Sequence, residues 1–484
     1  MNRHLALFIA TLCGAAGAQV PFQVTQLANN AGDVKLVGDI DLDGTPDVVL
    51  GGGTSEGLNW YHYPSWALTR IATPAVEFTT DGELGDVDGD GDLDIVVPDG
   101  SSGNNLLWFE NPARNAGRPD GNPFSPSQWT RHVIGSIGSW GKDIELADFD
   151  RDGRLDVATR SQSDCLIFFQ GSAGTWSGQL ITTSDLGQEG MTSGDVDKDG
   201  NVDLVVFGVW LRNPGGNAAR NGANWSHHVV DAGSFVDPAF KALVADVDLD
   251  GENDILFSSS ENTSDVMWFS HGGNPQRNGW LRHVIYANAN RCHTLQVADV
   301  DRDGDKDVIV GQMHTSSTPG VRVFYNTNGA ATNWQMQVVD NVNGVHNGVI
   351  ADVGADGDLD LVGANWTGNP PLEVWENMLP SNQEILSVDD LLAGRSSAIR
   401  VTNANPNQVV VLWLTGSGTT TPYQTGLGTT FDLANPLLYQ WGAAGSNGVA
   451  DFEITAPVFL SGITIWFQSM EIGRKSNVVS RRVL

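Results

Sequence analysis

The sequence predicts an all-β protein, a seven-bladed β-propeller followed by a small C-terminal β-sandwich. Three observations lead there. An acidic nine-residue phrase returns seven times at a spacing of roughly fifty residues, which marks an array of similar supersecondary units. Apolar residues around each phrase alternate at period two with large aromatics among them, the pattern of half-buried strands. No apolar stripe at helical spacing runs anywhere along the chain.

Residues 1–18 read as an export signal. Arg3 supplies the positive start, Leu5 to Leu12 the apolar stretch, and Ala16-Gly17-Ala18 the small-residue cleavage site. The stretch is too short to span a bilayer and no later one does better, so the mature protein is expected to be secreted or periplasmic, and monomeric. It keeps only Cys165 and Cys292, far apart, which are expected to be buried thiols rather than a disulfide framework.

Residues 19–378 are assigned to the propeller. Apolar runs flank each acidic phrase, as at 295–298 and 308–310, and supply two strands. A third follows around Trp60, Trp108, Phe168, Trp268, Phe324 and Trp375. A fourth is led by Trp66, Trp129, Trp176, Trp225, Trp280 or Trp334. Four strands per unit are the content of one propeller blade. One more aromatic-led strand, 22–27, precedes the array, and no copy follows the last unit. It is expected to join the final three strands and close the seventh blade, which removes an exposed sheet edge. Residues 379–484 lack the phrase, and runs at 398–403, 409–414, 452–455 and 463–467 between Gly, Asn, Thr and Pro predict the sandwich.

The phrase is Asp-x-Asp-x-Asp-Gly-x-x-Asp, with first positions 47, 62, 47, 51, 53 and 53 residues apart. Its aspartates are Asp39, Asp41, Asp43 and Asp47 in the first hairpin and Asp86, Asp88, Asp90 and Asp94 in the second. The third has Asp148, Asp150, Asp152 and Asp156, and the fourth Asp195, Asp197, Asp199 and Asp203. The fifth has Asp246, Asp248, Asp250 and Asp254, and the sixth Asp299, Asp301, Asp303 and Asp307. The seventh keeps Asp352, Asp356 and Asp360, with Gly354 at position 3.

Carboxylates at positions 1, 3 and 5 repel one another unless the backbone wraps a cation, and glycine at position 6 permits that turn. An all-oxygen, flexible, strongly anionic set suits calcium better than magnesium or zinc. Up to seven ions are expected, the seventh held more weakly because of Gly354. A metal-free Asp/Gly turn explains one copy but not the repetition. The 27 phrase aspartates account for much of the net charge of −32, so the acidity needs no basic partner, and nucleic acid is excluded as one.

The phrase, within a β-repeat of this length, resembles the FG-GAP, or VCBS, repeat family over about residues 20–378. That resemblance implies a propeller of the kind found in integrin α-subunits and secreted bacterial proteins, with calcium as structural support and ligands on the opposite rim. The family includes adhesion modules, lectin-like binders and some polysaccharide lyases, so the resemblance leaves function open.

Six residues before each phrase stand Asp33, Thr80, Lys142, Glu189, Phe240, His293 and His346. A purely structural position should be uniform, so their variety marks a candidate ligand face. Lys142, Asp143, Arg160, Glu189 and Arg291 are candidate binding residues, with Trp140, Phe235 or Trp366 available for stacking. His293, His314 and His346 are candidates for a catalytic base or a transition-metal site. Three readings stand: a water-filled channel, a funnel binding an acidic or hydroxyl-rich ligand, and a catalytic or metal site. The expected function is an extracellular binding or adhesion module for a polysaccharide, glycan or surface protein. The alternative is a polysaccharide lyase or other carbohydrate-active enzyme. His132, His228 and His283 share an outer-strand position and read as blade-packing or surface residues.

Overall fold

The computed structural model describes residues 20–53, 57–72, 77–78, 80–100, 103–114, 120–183, 187–231, 239–277, 279–366 and 371–378, and parts of 385–482. The expected export signal, the domain boundary placed at 379 and Phe235 lie outside the described residues. Strands and turns make up the fold, with no α-helix among the described residues. Among the described residues, no helix is long and apolar enough to cross a membrane.

Seven four-stranded antiparallel sheets occur among the described residues. Six are meanders in chain order, and the chain divides into two compact units. One unit, mainly 142–169 and 177–348, contains the third to sixth sheets. The inner strands of these are Asp143–Ala147, Met191–Gly194, Phe240–Ala245 and Cys292–Ala298. The other, mainly 23–141 and 349–484, contains the first two sheets, which begin at Val34–Gly38 and Glu83–Gly85, and the C-terminal strands. The seventh sheet takes Phe22–Gln26 from the chain start and pairs it with Glu373–Asn377, followed by Asp360–Ala364 and His346–Ala351.

Packing follows from the strand pattern. Second strands such as Asp94–Pro98, Asp156–Arg160 and Asp254–Ser259 are buried throughout, as runs of β-branched and apolar residues between two packed layers should be. Outer strands such as Thr130–Ser136 are largely open to solvent, with Ile134 turned into the core. Apolar clusters join neighbouring sheets: Ile167, Phe169, Leu204 and Leu211 belong to one, and Val205, Trp210, Ile255 and Phe257 to another. Adjacent inner strands approach closely. A Cβ on Gly194 would lie 2.7 Å from Val244 Cβ, so that position admits only glycine without a backbone shift. The outer-strand histidines pack as expected, His132 on Trp108, His228 on Trp210 and His283 on Trp268, each pair facing across two neighbouring strands.

The C-terminal strands form a sheet of Ile385–Val388, Ser396–Thr402 and Ala450–Thr455 and a five-stranded sheet centred on Val409–Thr415 and Thr464–Glu471. Ile399, Val401, Phe452 and Ile454 of the first pack with Val410, Leu412, Ile465 and Phe467 of the second in one core. That is a two-layer sandwich.

Candidate functional site

Each acidic phrase forms the hairpin between a first and a second strand. Position 9 opens the second strand and pairs with the small residue just before position 1: Gly38 with Asp47, Gly85 with Asp94, Ala147 with Asp156, Gly194 with Asp203, Ala245 with Asp254, Ala298 with Asp307. In all seven hairpins the glycine at position 6 is left-handed, with φ between 86° and 99°. Position 4 is left-handed too, at Leu42, Gly89, Arg151, Lys198, Leu249, Arg302 and Ala355. Left-handed backbone at non-glycine residues costs about 1–2 kcal/mol each, and something must hold it.

Two sets of hydrogen bonds hold it. Oδ2 of position 1 accepts from the position-6 glycine N–H, as in Asp39 from Gly44 at 3.0 Å, Asp148 from Gly153 at 2.8 Å and Asp246 from Gly251 at 3.1 Å. The buried position-9 carboxylate accepts from two backbone N–H groups: Asp94 from Val87 and Asn111, Asp203 from Val196 and Asn213, Asp307 from Val300 and Asn326. Position 9 therefore locks the hairpin to the end of the third strand as well as facing its interior. In the third hairpin its carboxylate remains in reach of positions 1 and 3, where oxygens of Asp148, Asp150 and Asp156 lie within 4.8 Å of one another.

The fit to a hard divalent cation rests on the atoms left over. Oδ1 of Asp39, Asp86, Asp246 and Asp299, all at position 1, is shut from solvent and accepts no hydrogen bond among the described residues. In the second hairpin the oxygens of Asp86, Asp88 and Asp90 converge within 4.8 Å. Buried acceptors without donors are costly, and a cation is the group they fit. Burial pushes Asp39 up to about 6, Asp47, Asp203, Asp307 and Asp360 up to about 7, and Asp94 and Asp254 up to about 8. Neighbouring aspartates add to the shift, while the backbone N–H donors oppose it.

The hairpins are not alike. In the third, Arg220 reaches in to pair with Asp150 and Asp152. In the fourth, Arg212 pairs with Asp197 and Asp199, both at 2.5 Å. A guanidinium thus stands against the carboxylates of positions 3 and 5 in both. In the first, His62 Nε2 lies 2.8 Å from Asp41. Further carboxylates occupy position 7: Asp92, Asp305 and Asp358, all buried. Burial raises Asp92 and Asp305 to about 7. The phrase alone did not flag Arg212, Arg220 or His62, because they come from other strands and loops.

At the opposite ends of the inner strands the expected ligand face divides into groups. Phe240 is wholly buried among Phe207, Phe257 and Phe269, which corrects its place there: it is a core residue. Arg160 is fully buried too. Its guanidinium lies 3.7 Å from Asp143 and donates to the carbonyls of Ser161, Gly187 and Gly190, while Asp143 accepts from Gly190 N–H. Both side chains are consumed inside the protein, so neither meets a ligand. Trp140 and Trp366 are exposed but belong to the other unit.

Glu189, His293 and His346 do come together. His293 is 1% exposed, and its ring stacks on His346 with centroids 3.5 Å apart. Its Nε2 lies 3.0 Å from Glu189 Oε1 and 3.8 Å from Glu261 Oε1, and its Nδ1 3.0 Å from Asn347 Oδ1. Ser260 donates to Glu189 at 2.5 Å. Burial acts to raise the Glu189 carboxyl, but His293, Lys241 and Ser260 outweigh it and hold it well below the usual range. Glu261 had no sequence signal, since it sits in a loop outside any repeat position. His314 is half-buried with its pKa lowered by burial and by Arg291, and Arg291 donates to Thr315.

The FG-GAP-like repeat matches residues 39–97, 86–159, 148–206 and 246–310. The chain belongs to the FG-GAP repeat family. Each FG-GAP match begins at position 1 of an acidic hairpin and ends in the second strand after the next hairpin. None of the curated protein sequences matches the chain. Among solved structures, it is similar to a lectin of Agrocybe aegerita that recognises non-reducing terminal N-acetylglucosamine, at 18% identity over 64% of this chain and 81% of that one, TM-score 0.45. A fungal alcohol oxidase in complex with copper is 11% identical over 96% and 99%, TM-score 0.49. A rhamnogalacturonan lyase is 10% identical over 73% and 72%, TM-score 0.41. These likenesses carry nothing about activity.

Proposed function

We propose that this FG-GAP repeat chain is an extracellular binding module, supported by calcium in its acidic hairpins, that holds a polysaccharide or a glycosylated surface partner at the other ends of its inner strands. One observation carries the reading. Chemistry is repeated from sheet to sheet at the hairpin end of the inner strands and differs from sheet to sheet at the far end, where Lys142, Glu189 and His293 occupy equivalent places. Repetition is what folding demands, and polar variation beside a buried charged cluster is what a ligand demands. Hydroxyl-rich ligands suit carboxylate and imidazole partners such as Glu261, Glu189 and His346, with Arg291 nearby for an acidic sugar.

The residues that would hold calcium are the position 1, 3 and 5 aspartates of the first, second, fifth and sixth hairpins, where the position-1 carboxylate keeps an orphaned oxygen. The ion would supply charge neutralisation and bracing. A glycan array probed with the calcium-loaded chain, repeated with His346→Ala and Arg291→Ala, tests the function. Glycan binding lost in the variants supports it. No binding to any polysaccharide or surface glycan sinks it, and unsaturated sugar products from acidic polysaccharides would replace it with the lyase.

A further inference from the structure

All seven acidic hairpins share a contact made by position 7, a residue the nine-residue phrase leaves open. Its backbone N–H donates to Oδ1 of the position-5 aspartate, at 2.8–3.3 Å. Whatever side chain stands at position 7 therefore starts at the margin of the carboxylate cluster.

That side chain divides the hairpins by chemistry. In the first, third and fourth it is a donor fastened to position 5. Thr45 Oγ1 donates to Asp43 at 2.6 Å, Asn201 Nδ2 donates to Asp199 at 2.7 Å, and the Arg154 guanidinium pairs with Asp152. In the second and sixth it is an aspartate, 1% exposed at Asp92 and 7% at Asp305. Oδ2 of each accepts a backbone N–H from the loop after the third strand, Arg114 at 2.6 Å and Gly329 at 2.9 Å. Those bonds hold the carboxylates inside. Oδ1 of each is shut from solvent and accepts no hydrogen bond among the described residues, and the same is true of Oδ2 of Asp90 at position 5. A buried acceptor without a donor is costly in an empty hairpin and favourable beside a cation.

We propose that position 7 sets the order in which the hairpins take calcium, with Asp92 and Asp305 making the second and sixth the two tightest sites of the chain. Affinity in oxygen-lined loops follows the number of negative ligands and the rigidity of the site. Five carboxylates stand in nine residues of the second and sixth hairpins, against four in the first, third and fourth. The added one is desolvated, so water and salt screen it little. A donor at position 7 acts the other way: it takes up a lone pair of the position-5 carboxylate, and Arg154 adds a positive charge besides. The fifth hairpin has Glu252, partly open to solvent, and the seventh has Asp358 but lacks the position-3 carboxylate at Gly354. Both therefore fall below the pair. The inference rests on the calcium reading of the hairpins given above and not on the ligand at the far strand ends.

The test uses the full chain, stripped with chelator and titrated with calcium chloride in buffers of fixed free calcium. Native mass spectrometry counts the ions at each step, and isothermal titration calorimetry gives their affinities. Two ions should enter ahead of the rest, with dissociation constants lower by roughly tenfold or more. Asp92→Asn and Asp305→Asn should each remove one ion from that early pair, and the double variant should remove both, while Glu252→Gln leaves the pair in place. Thr45→Asp exchanges a donor for an acid without touching a buried residue, and should bring the first hairpin's ion forward. An early pair that persists in the Asp92→Asn, Asp305→Asn double variant would overturn the proposal. So would ions that all enter together, or a Thr45→Asp chain that fills as the parent does. No calcium uptake at any concentration would overturn the calcium reading itself, and failed glycan binding bears on neither.

Discussion

Arg212→Ala and Arg220→Ala should turn two arginine-filled hairpins into cation sites. Arg212 makes two contacts with Asp197 and Asp199, and its side chain is 28% exposed. Partly exposed ion pairs contribute about 0.2–1 kcal/mol each, so the two contacts together contribute roughly 0.4–2 kcal/mol when no calcium is present. In chelator each variant should therefore melt a few degrees below the parent. Calcium then reverses the loss. At a free concentration about ten times its dissociation constant, an ion bound only to the folded state adds RT ln 11, or about 1.4 kcal/mol, close to what the arginine gave. Native mass spectrometry should find one more bound calcium in each variant than in the parent, and two more in the double variant. Differential scanning calorimetry with and without calcium reads the thermal side. Equal ion counts in parent and variants would refute the reasoning, because the guanidinium would then not be what keeps calcium out of those hairpins.

Other outcomes follow from the same geometry. The hairpin carboxyls of Asp47, Asp94 and Asp254 are raised by burial to about 7, 8 and 8, above an unfolded value near 4. Raised groups favour the fold when protonated, so in chelator this contribution is full below about pH 4 and is lost as pH climbs through 7 and 8. The melting temperature of the chelated protein should then fall between pH 5 and pH 8, while the increment added by calcium grows over the same interval. A chelated protein that gains stability toward pH 8 would contradict this. Phe240→Ala should cost about 3–5 kcal/mol in denaturant unfolding, since the side chain fills a core between Phe207, Phe257 and Phe269. A cost under about 1 kcal/mol would return Phe240 to the ligand face. Cys165 and Cys292 are buried, with thiols pushed by burial up to about 12, so both should resist iodoacetamide in the native protein and react once it is unfolded.

Much of the fold was legible along the chain, because the signals are local and repeated. The acidic phrase has its turn residues at fixed offsets, and period-two alternation marks the strands on either side. The joining of Phe22–Gln26 to Glu373–Asn377 was also expected, on the argument that one aromatic-led strand precedes the array and none ends it. The left-handed residue at position 4 was less accessible. Leu42, Arg151 and Leu249 have no preference for that conformation and adopt it only because the hairpin hydrogen bonds impose it. On the far strand ends the outcome was mixed. His293, His346 and Glu189 meet, while Phe240, Arg160 and Asp143 turn inward, and strand counting does not distinguish a side chain aimed at solvent from one aimed at a neighbouring sheet.

What the sequence determined by itself is whatever a nine-residue spacing can encode: seven anionic turns, the strands that flank them and the oxygen chemistry of their interiors. Only the tertiary structure decided which turns have an arginine leaning into them and which strand ends gather carboxylates round an imidazole. Those partners are contributed by separate strands and loops, as Arg220 is to Asp150 and Glu261 to His293. Distance in space between such groups is set by sheet packing, and packing leaves no periodic trace in the chain.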